Sequence, residues 1–178
     1  MKYIITTLIL ILFVFKIDLY AQGIPIWLNS AGSASSDDEG NGICVDSLGN
    51  SYIIGSFSGK ITIGDSVLTS KGAKDMVVAC YLPDGTFAWA KNFGGVSDEI
   101  PNSIVCNSQG TLTICGSFSG NIDLGGSLLK SAGSTDGFVL RLTSSGSVVW
   151  ATKIGGSSDD VANAIAIDEL GNSYVTGS

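Results

Sequence analysis

No histidine occurs in the sequence, and arginine occurs once, at Arg141. The first absence removes Ser-His-Asp and Cys-His nucleophile systems, and with them every zinc site that needs an imidazole. The second leaves an acidic chain without clustered basic side chains, which makes it a poor nucleic-acid binder, since phosphate contacts need grouped Lys and Arg. No Gly-rich loop with a following Lys joins a strand to a helix, so the 24 glycines carry no nucleotide signal. No segment shows a 3.6-residue apolar period over helical length. Beyond the N-terminus, none is long and apolar enough to span a bilayer.

The N-terminal stretch is of a different kind. Lys2 gives a positive start, Ile4 to Phe15 is apolar apart from Thr6 and Thr7, and Leu19-Tyr20-Ala21 ends on a small residue. This is the pattern of a secretory signal peptide, residues 1–21, with cleavage after Ala21. The apolar run is about 12 residues where a spanning helix needs roughly 20, which favours export over anchoring. The mature chain is expected to be soluble and outside the cytoplasm. Cleavage leaves 7 basic and 15 acidic residues, a net charge of −8. That charge suits solubility and divalent cations better than an anionic membrane surface.

The dominant feature is a repeat. The stretch beginning Ser36-Asp37-Asp38-Glu39 returns at Ser97-Asp98-Glu99 and again at Ser158-Asp159-Asp160, with 61 residues between successive copies. Gly55, Gly116 and Gly177 keep the same interval, as do the pairs Gly59/Gly120, Gly64/Gly125, Gly72/Gly133 and Gly85/Gly146. These glycines are expected where strands end or turns need positive φ. Trp27, Trp89 and Trp150 are 62 and 61 apart, so one length change lies in the loop after the first Trp. Asp75 and Asp136, each opening a strand after a Gly-rich turn, complete the period.

Within one copy, Gly42 to Asp46 predicts a short strand, Ser47-Leu48-Gly49-Asn50 a turn, and Ser51 to Phe57 a second strand closed by Ser58-Gly59. A small hairpin is expected around Gly64-Asp65-Ser66. A strand over Asp75 to Tyr81, a turn at Pro83-Asp84-Gly85 and a last strand from Thr86 to Asn92 follow. The fold class is all-β. A unit of about four strands cannot bury its own two faces and must stack on copies of itself, as the blades of a β-propeller do. The expected division is a signal peptide over 1–21, a lead-in strand or linker over 22–35, and propeller repeats over 36–96, 97–157 and, in part, 158–178.

Four cysteines, Cys44, Cys80, Cys106 and Cys115, match no zinc or redox spacing. Cys44, Cys106 and Cys115 align with small apolar residues in other copies and read as buried hydrophobes. Cys80 aligns with Arg141 and is expected nearer the surface. Disulfide pairing stays open, since sequence does not supply its geometry. The acidic pairs Asp37/Asp38, Asp98/Glu99 and Asp159/Asp160 are the remaining candidates for chemistry. A catalytic pair for glycoside cleavage should be unique in a pseudo-symmetric fold, whereas these recur in every copy. Recurrence points to backbone N–H acceptors in the turn before the first strand, with calcium binding as the alternative. The repeated Trp residues read as inter-blade packing, with sugar stacking as the alternative. No catalytic, cofactor-binding or metal residue is assigned, and no cofactor is implied.

The run from Asp37 through Val45-Asp46-Ser47-Leu48-Gly49-Asn50-Ser51-Tyr52 and Gly55-Ser56-Phe57-Ser58-Gly59 resembles the secreted bacterial β-propeller repeat family, of the seven-bladed type. So do Gly72-Ala73-Lys74-Asp75, Pro83-Asp84-Gly85, Trp89-Ala90-Lys91 and Phe93-Gly94-Gly95. The resemblance covers residues 26–178. It departs at Asn107-Ser108-Gln109-Gly110-Thr111, which lacks the usual Asp and Asn, and at Cys80, where a basic residue is more usual. The resemblance implies extracellular or cell-surface proteins of Gram-negative bacteria, often with adhesion-type domains and a type IX secretion sorting domain. The expected function is a non-enzymatic scaffold for interaction or adhesion outside the cell, binding an unknown protein or glycan ligand. The alternative is a glycan-binding or glycan-processing propeller, calcium-stabilised in one version.

Seven blades of this size need roughly 430 residues, so the sequence is expected to be the N-terminal part of a longer propeller. Sequencing past the codon for Ser178 checks this, with further copies of the 61-residue unit as the expected outcome. A stop codon there instead predicts closure by self-association.

Overall fold

The computed structural model describes residues 29–33 and 37–178. The signal peptide (1–21), most of the lead-in (22–35), Trp27 and Ser36 lie outside the described residues. The strands are β1 (Ala31–Gly32), β2 (Asp38–Val45), β3 (Ser51–Ile63), β4 (Ser66–Tyr81), β5 (Phe87–Gly95) and β6 (Glu99–Cys106). They continue as β7 (Leu112–Asp123), β8 (Leu128–Leu142), β9 (Val148–Ile154), β10 (Ala162–Ile167) and β11 (Ser173–Gly177).

Consecutive strands within a blade pair antiparallel, so β2 to β5 form one four-stranded meander, β6 to β9 a second, and β10 with β11 half of a third. The array of the described residues is open, as an incomplete propeller should be. Two residue pairs splice one blade to the next, Gly94 against Asp123 and Gly95 against Ile122. The same splice joins Ala31 and Gly32 to Ile63 and Thr62.

Alternation of side chains along each strand gives every blade two apolar faces. In the first blade Tyr52, Ile54, Met76, Val78 and Cys80 face the second, whose Leu112, Ile114, Phe118, Phe138 and Leu140 meet them in one core. The opposite face of the first blade carries Phe57, Ile61, Ile63, Val77, Ala79 and Tyr81. The far face of the second blade meets the third through Cys115, Val139, Ala162 and Ile165. Burial on both faces explains why Met76 to Tyr81 is a continuous apolar run rather than an alternating one.

Several expected boundaries move. The first strand begins at Asp38 rather than Gly42. Ser58-Gly59 does not end the second strand. A bulge between Ser58 and Lys60 carries the pairing on to Ile63. The expected small hairpin is therefore the shared far end of β3 and β4, and Asp75 lies in the middle of β4 rather than at its start.

Gly55, Gly116 and Gly177 sit within strands and not at turns of positive φ. A Cβ at Gly116 would meet the Ile100 carbonyl oxygen, Pro101 Cα and the Phe138 ring. Gly55 and Gly177 are held in the same way by the carbonyls of Glu39 and Val161. All three lie beside the bulge in the first strand of their blade, where the two backbones close on each other. Gly116→Ala is therefore expected to destabilise by about 1–3 kcal/mol, the usual range for overpacking. Gly156→Ala is the control, since a Cβ there meets nothing within 4 Å. Paired thermal melts of the two variants check the difference.

Candidate functional site

The first turn of each blade is built on one side chain. Asp46 Oδ1 accepts the N–H of Leu48 and of Asn50, both at 2.9 Å, while Oδ2 accepts Asn50 Nδ2 at 2.9 Å and the Tyr52 hydroxyl at 3.0 Å. Asp168, Asn172 and Tyr174 repeat this in the third blade. Asn107 keeps only the backbone half, from Gln109 and Thr111, because Thr111 and Thr113 stand where Asn50 and Tyr52 stand in the first copy. Burial pushes the Asp46 carboxyl up, but the bonds from Asn50, Tyr52 and Leu48 outweigh it and hold it below the usual range.

The acidic pairs divide their work. The second member closes its own loop: Glu99 Oε2 accepts the Gly95 N–H at 2.8 Å, Asp160 Oδ2 that of Gly156 at 2.7 Å, and Asp38 Oδ2 that of Ser33 at 2.6 Å. The first member reaches back a blade. Asp98 Oδ1 accepts the Lys74 N–H at 3.0 Å, and Asp159 Oδ1 that of Thr135 at 3.1 Å. Backbone N–H acceptors were expected here. The crossing to the preceding blade was not, because the partner lies 24 residues upstream.

Sequence reasoning also missed a buried carboxylate at each junction. Asp75 and Asp136 are fully buried in mid-strand. Asp75 Oδ2 accepts the Lys71 N–H at 3.0 Å, and Asp136 Oδ2 accepts Lys153 Nζ at 3.1 Å. A Cβ at Gly155 would strike both Asp136 Oδ1 and Asp160 Oδ2, so the two carboxylates share one small space beside that glycine. Gly94 leaves similar room for Asp75. One ammonium serves each junction, but from different strands: Lys71 of β4 at the first, where it bonds Gly94 O at 3.4 Å, and Lys153 of β9 at the second. The signal available in the sequence was an Asp opening a largely apolar run, repeated at the same interval. Among the described residues, no three Cys, Asp or Glu side chains gather in a way that could hold a metal ion.

Trp89 and Trp150 lie between blades. Trp89 Nε1 donates to Ser144 O of the next blade at 3.1 Å, and its ring lies 6.3 Å from that of Tyr52. Lys91 Nζ follows it across to Gly146 O at 2.9 Å. Trp150 packs beneath the Arg141 guanidinium, 5.9 Å from ring centroid to Cζ, and Arg141 donates onward to Gly171 O at 3.1 Å. Cys80, expected near the surface, is buried at 3% exposure because its face packs on the second blade.

At the end of the array that carries the Asp46 turn, the Ser47 hydroxyl bonds Ser108 O and ties the first two turns together. Between the second and third turns a cleft of about 560 Å³ remains, lined by Asn107, Gln109, Asp168, Glu169 and Leu170 among others. Across it Asn107, Ser108 and Gln109 of the second copy face Asp168, Glu169 and Leu170 of the third, so the equivalent positions carry different residues on its two sides.

Stacked four-stranded antiparallel blades with a common junction define a propeller. The comparisons agree: residues 30–56 and 149–178 match a family described as beta-propeller repeat. Residues 119–148 match a second, described as a beta-propeller domain of unknown function. The chain is a β-propeller repeat protein. No curated protein matches it.

The junction carboxylates set a pH dependence. Burial pushes Glu99 up to about 8, helped by the Asp75 and Asp98 carboxylates and opposed by the Gly95 N–H and Lys71. Burial likewise raises Asp75. A carboxyl whose folded pKa is raised favours the folded state while protonated, and that advantage is lost as pH rises from the unfolded value toward the folded one. Melting temperature should therefore fall between about pH 4.5 and pH 8, and Glu99→Gln should flatten this slope. Calorimetric scans across that range check it, and an equal slope in both proteins contradicts it.

Proposed function

We propose that this protein is an exported, non-enzymatic β-propeller scaffold whose end-face turns recognise a partner at or beyond the cell surface. The observation that carries the reading is a division of labour. Asp98, Asp159 and Trp89 are engaged in holding blades, while the cleft sets Ser108 and Gln109 of one copy against Glu169 and Leu170 of the next, positions at which these two copies differ. Leu48 and Leu170, at the tips of the same row of turns, are 75% and 89% exposed. Exposed apolar tips beside a polar cleft suit a protein surface better than water alone.

Export is supported by the pattern of residues 1–21, and no helix among the described residues is long and apolar enough to cross a membrane. Sugar stacking on the repeated tryptophans has less support, since the Trp89 N–H is already donated and its ring is covered by Gly146. A glycan-binding role would therefore have to use the end cleft.

Two measurements test the proposal. Expressed with its N-terminal stretch in a bacterial host, the chain should leave the cytoplasm with Gln22 as its new N-terminus, and an uncleaved cytoplasmic product overturns export. Against a panel of bacterial and plant polysaccharides the melting temperature should not move. A rise that Glu169→Lys abolishes would replace the protein-binding reading with glycan recognition at the cleft.

A further inference from the structure

Cys44 and Cys106 occupy adjacent, not equivalent, places in the repeat: Cys44 aligns with Val105, and Cys106 with Val45. Neighbouring positions on a strand point to opposite faces. A one-place offset between adjacent blades therefore turns two side chains that would face the same way into two that face each other. Register bears this out. Cys44 lies opposite Tyr52 on the face of the first blade that meets the second. Cys106 lies opposite Leu112 on the face of the second blade that meets the first. Both pack against the same core, and their strands β2 and β6 approach within 8 Å between Cα atoms.

We infer that Cys44 and Cys106 form a disulfide that staples β2 to β6, the first strands of the first two blades. A Cys44–Cys80 bond and a bond through Cys115 do not suit the register. Cys80 shares the face of Cys44 but lies two strands away across Tyr52, on the order of 9–10 Å at sheet spacing, beyond the reach of a disulfide. Cys115 faces the third blade, where its thiol donates to Ala162 O at 3.6 Å.

All four cysteines carry free thiols in this structure. The bond forms by exchange with a small-molecule disulfide such as glutathione disulfide. One protein thiol loses its proton to solvent, attacks a glutathione sulfur and expels one glutathione thiolate. The second protein thiolate then displaces the other glutathione, so two thiol protons are released to solvent and two electrons pass to the oxidant. Burial raises both thiols, Cys44 further with Cys106 against it, which leaves little thiolate near neutrality and makes the exchange slow in the folded chain. In the cell the bond needs an oxidising compartment and there rests on the proposed export. Its chemistry in solution does not.

The test uses the full chain, purified reduced, incubated with glutathione disulfide at mildly alkaline pH, then denatured, alkylated and digested without reduction. The expected result is a fall from four alkylatable thiols to two, with fragment masses joining the Cys44 and Cys106 peptides. The link should persist in Cys115→Ser and vanish in Cys106→Ser. The oxidised protein should also melt at a higher temperature than the reduced one, a difference that Cys106→Ser removes. Four alkylated thiols, or a link through Cys80 or Cys115, overturn the staple. Correct cleavage at Gln22 with no link would reject the staple while leaving export intact.

Discussion

A four-stranded sheet that is apolar on both sides cannot be stable in water by itself, and everything else in this chain follows from that. Side chains alternate along the strands, so Tyr52, Ile54 and Met76 need a neighbour on one side while Phe57, Val77 and Ala79 need one on the other. The hydrophobic effect supplies attraction between blades but no direction, because apolar contact is proportional to area and indifferent to orientation. Orientation comes from the polar groups at the rim of each interface. The carboxylates of Asp98 and Asp159 grip backbone N–H groups of the preceding blade, and Trp89 grips a carbonyl of the following one. Each blade is thus indexed from both sides by bonds of defined geometry.

The junction also shows how a buried charge is made tolerable. Asp75 and Asp136 have no solvent exposure, and each is supported by a backbone N–H and a nearby ammonium. The ammonium comes from Lys71 in one junction and from Lys153 in the next, so what recurs is the local charge balance and not a particular lysine. At the turns the rule is stricter. Asp46 and Asp168 use four and three bonds in nearly the same arrangement, because a turn of fixed length leaves its backbone donors in fixed places.

Much of this was visible in the amino-acid order. The period, the antiparallel strands and the turns at Ser47–Asn50 and Pro83–Gly85 follow from local signals of apolar runs and turn residues. The length of the strands was less visible. Ser58-Gly59-Lys60 has the composition of a strand end, yet the ladder passes over Gly59 on β3 and residues 70–73 on β4, and pairing resumes at Lys60 opposite Thr69. Asp38 to Asn41 is polar because it lies at the edge of the interface, which hid the start of β2. The exposure of Cys80 was misjudged from its alignment with Arg141, since a long side chain can turn outward from a position where a thiol stays covered. The second half of the acidic-pair network was out of reach of local pattern altogether, because it joins residues from different blades.

The bonds that Asp98 and Asp159 make are to main-chain N–H groups, which every residue but proline possesses. A junction written in that way does not depend on which side chain the neighbour carries at the point of contact. A duplicated copy of the unit therefore arrives already compatible with the blade beside it, and side chains elsewhere are free to diverge. In this sense the carboxylate pair acts as a connector standard. It allows such arrays to lengthen by gene duplication in whole units, while the end-face turns acquire different sequences without disturbing the frame.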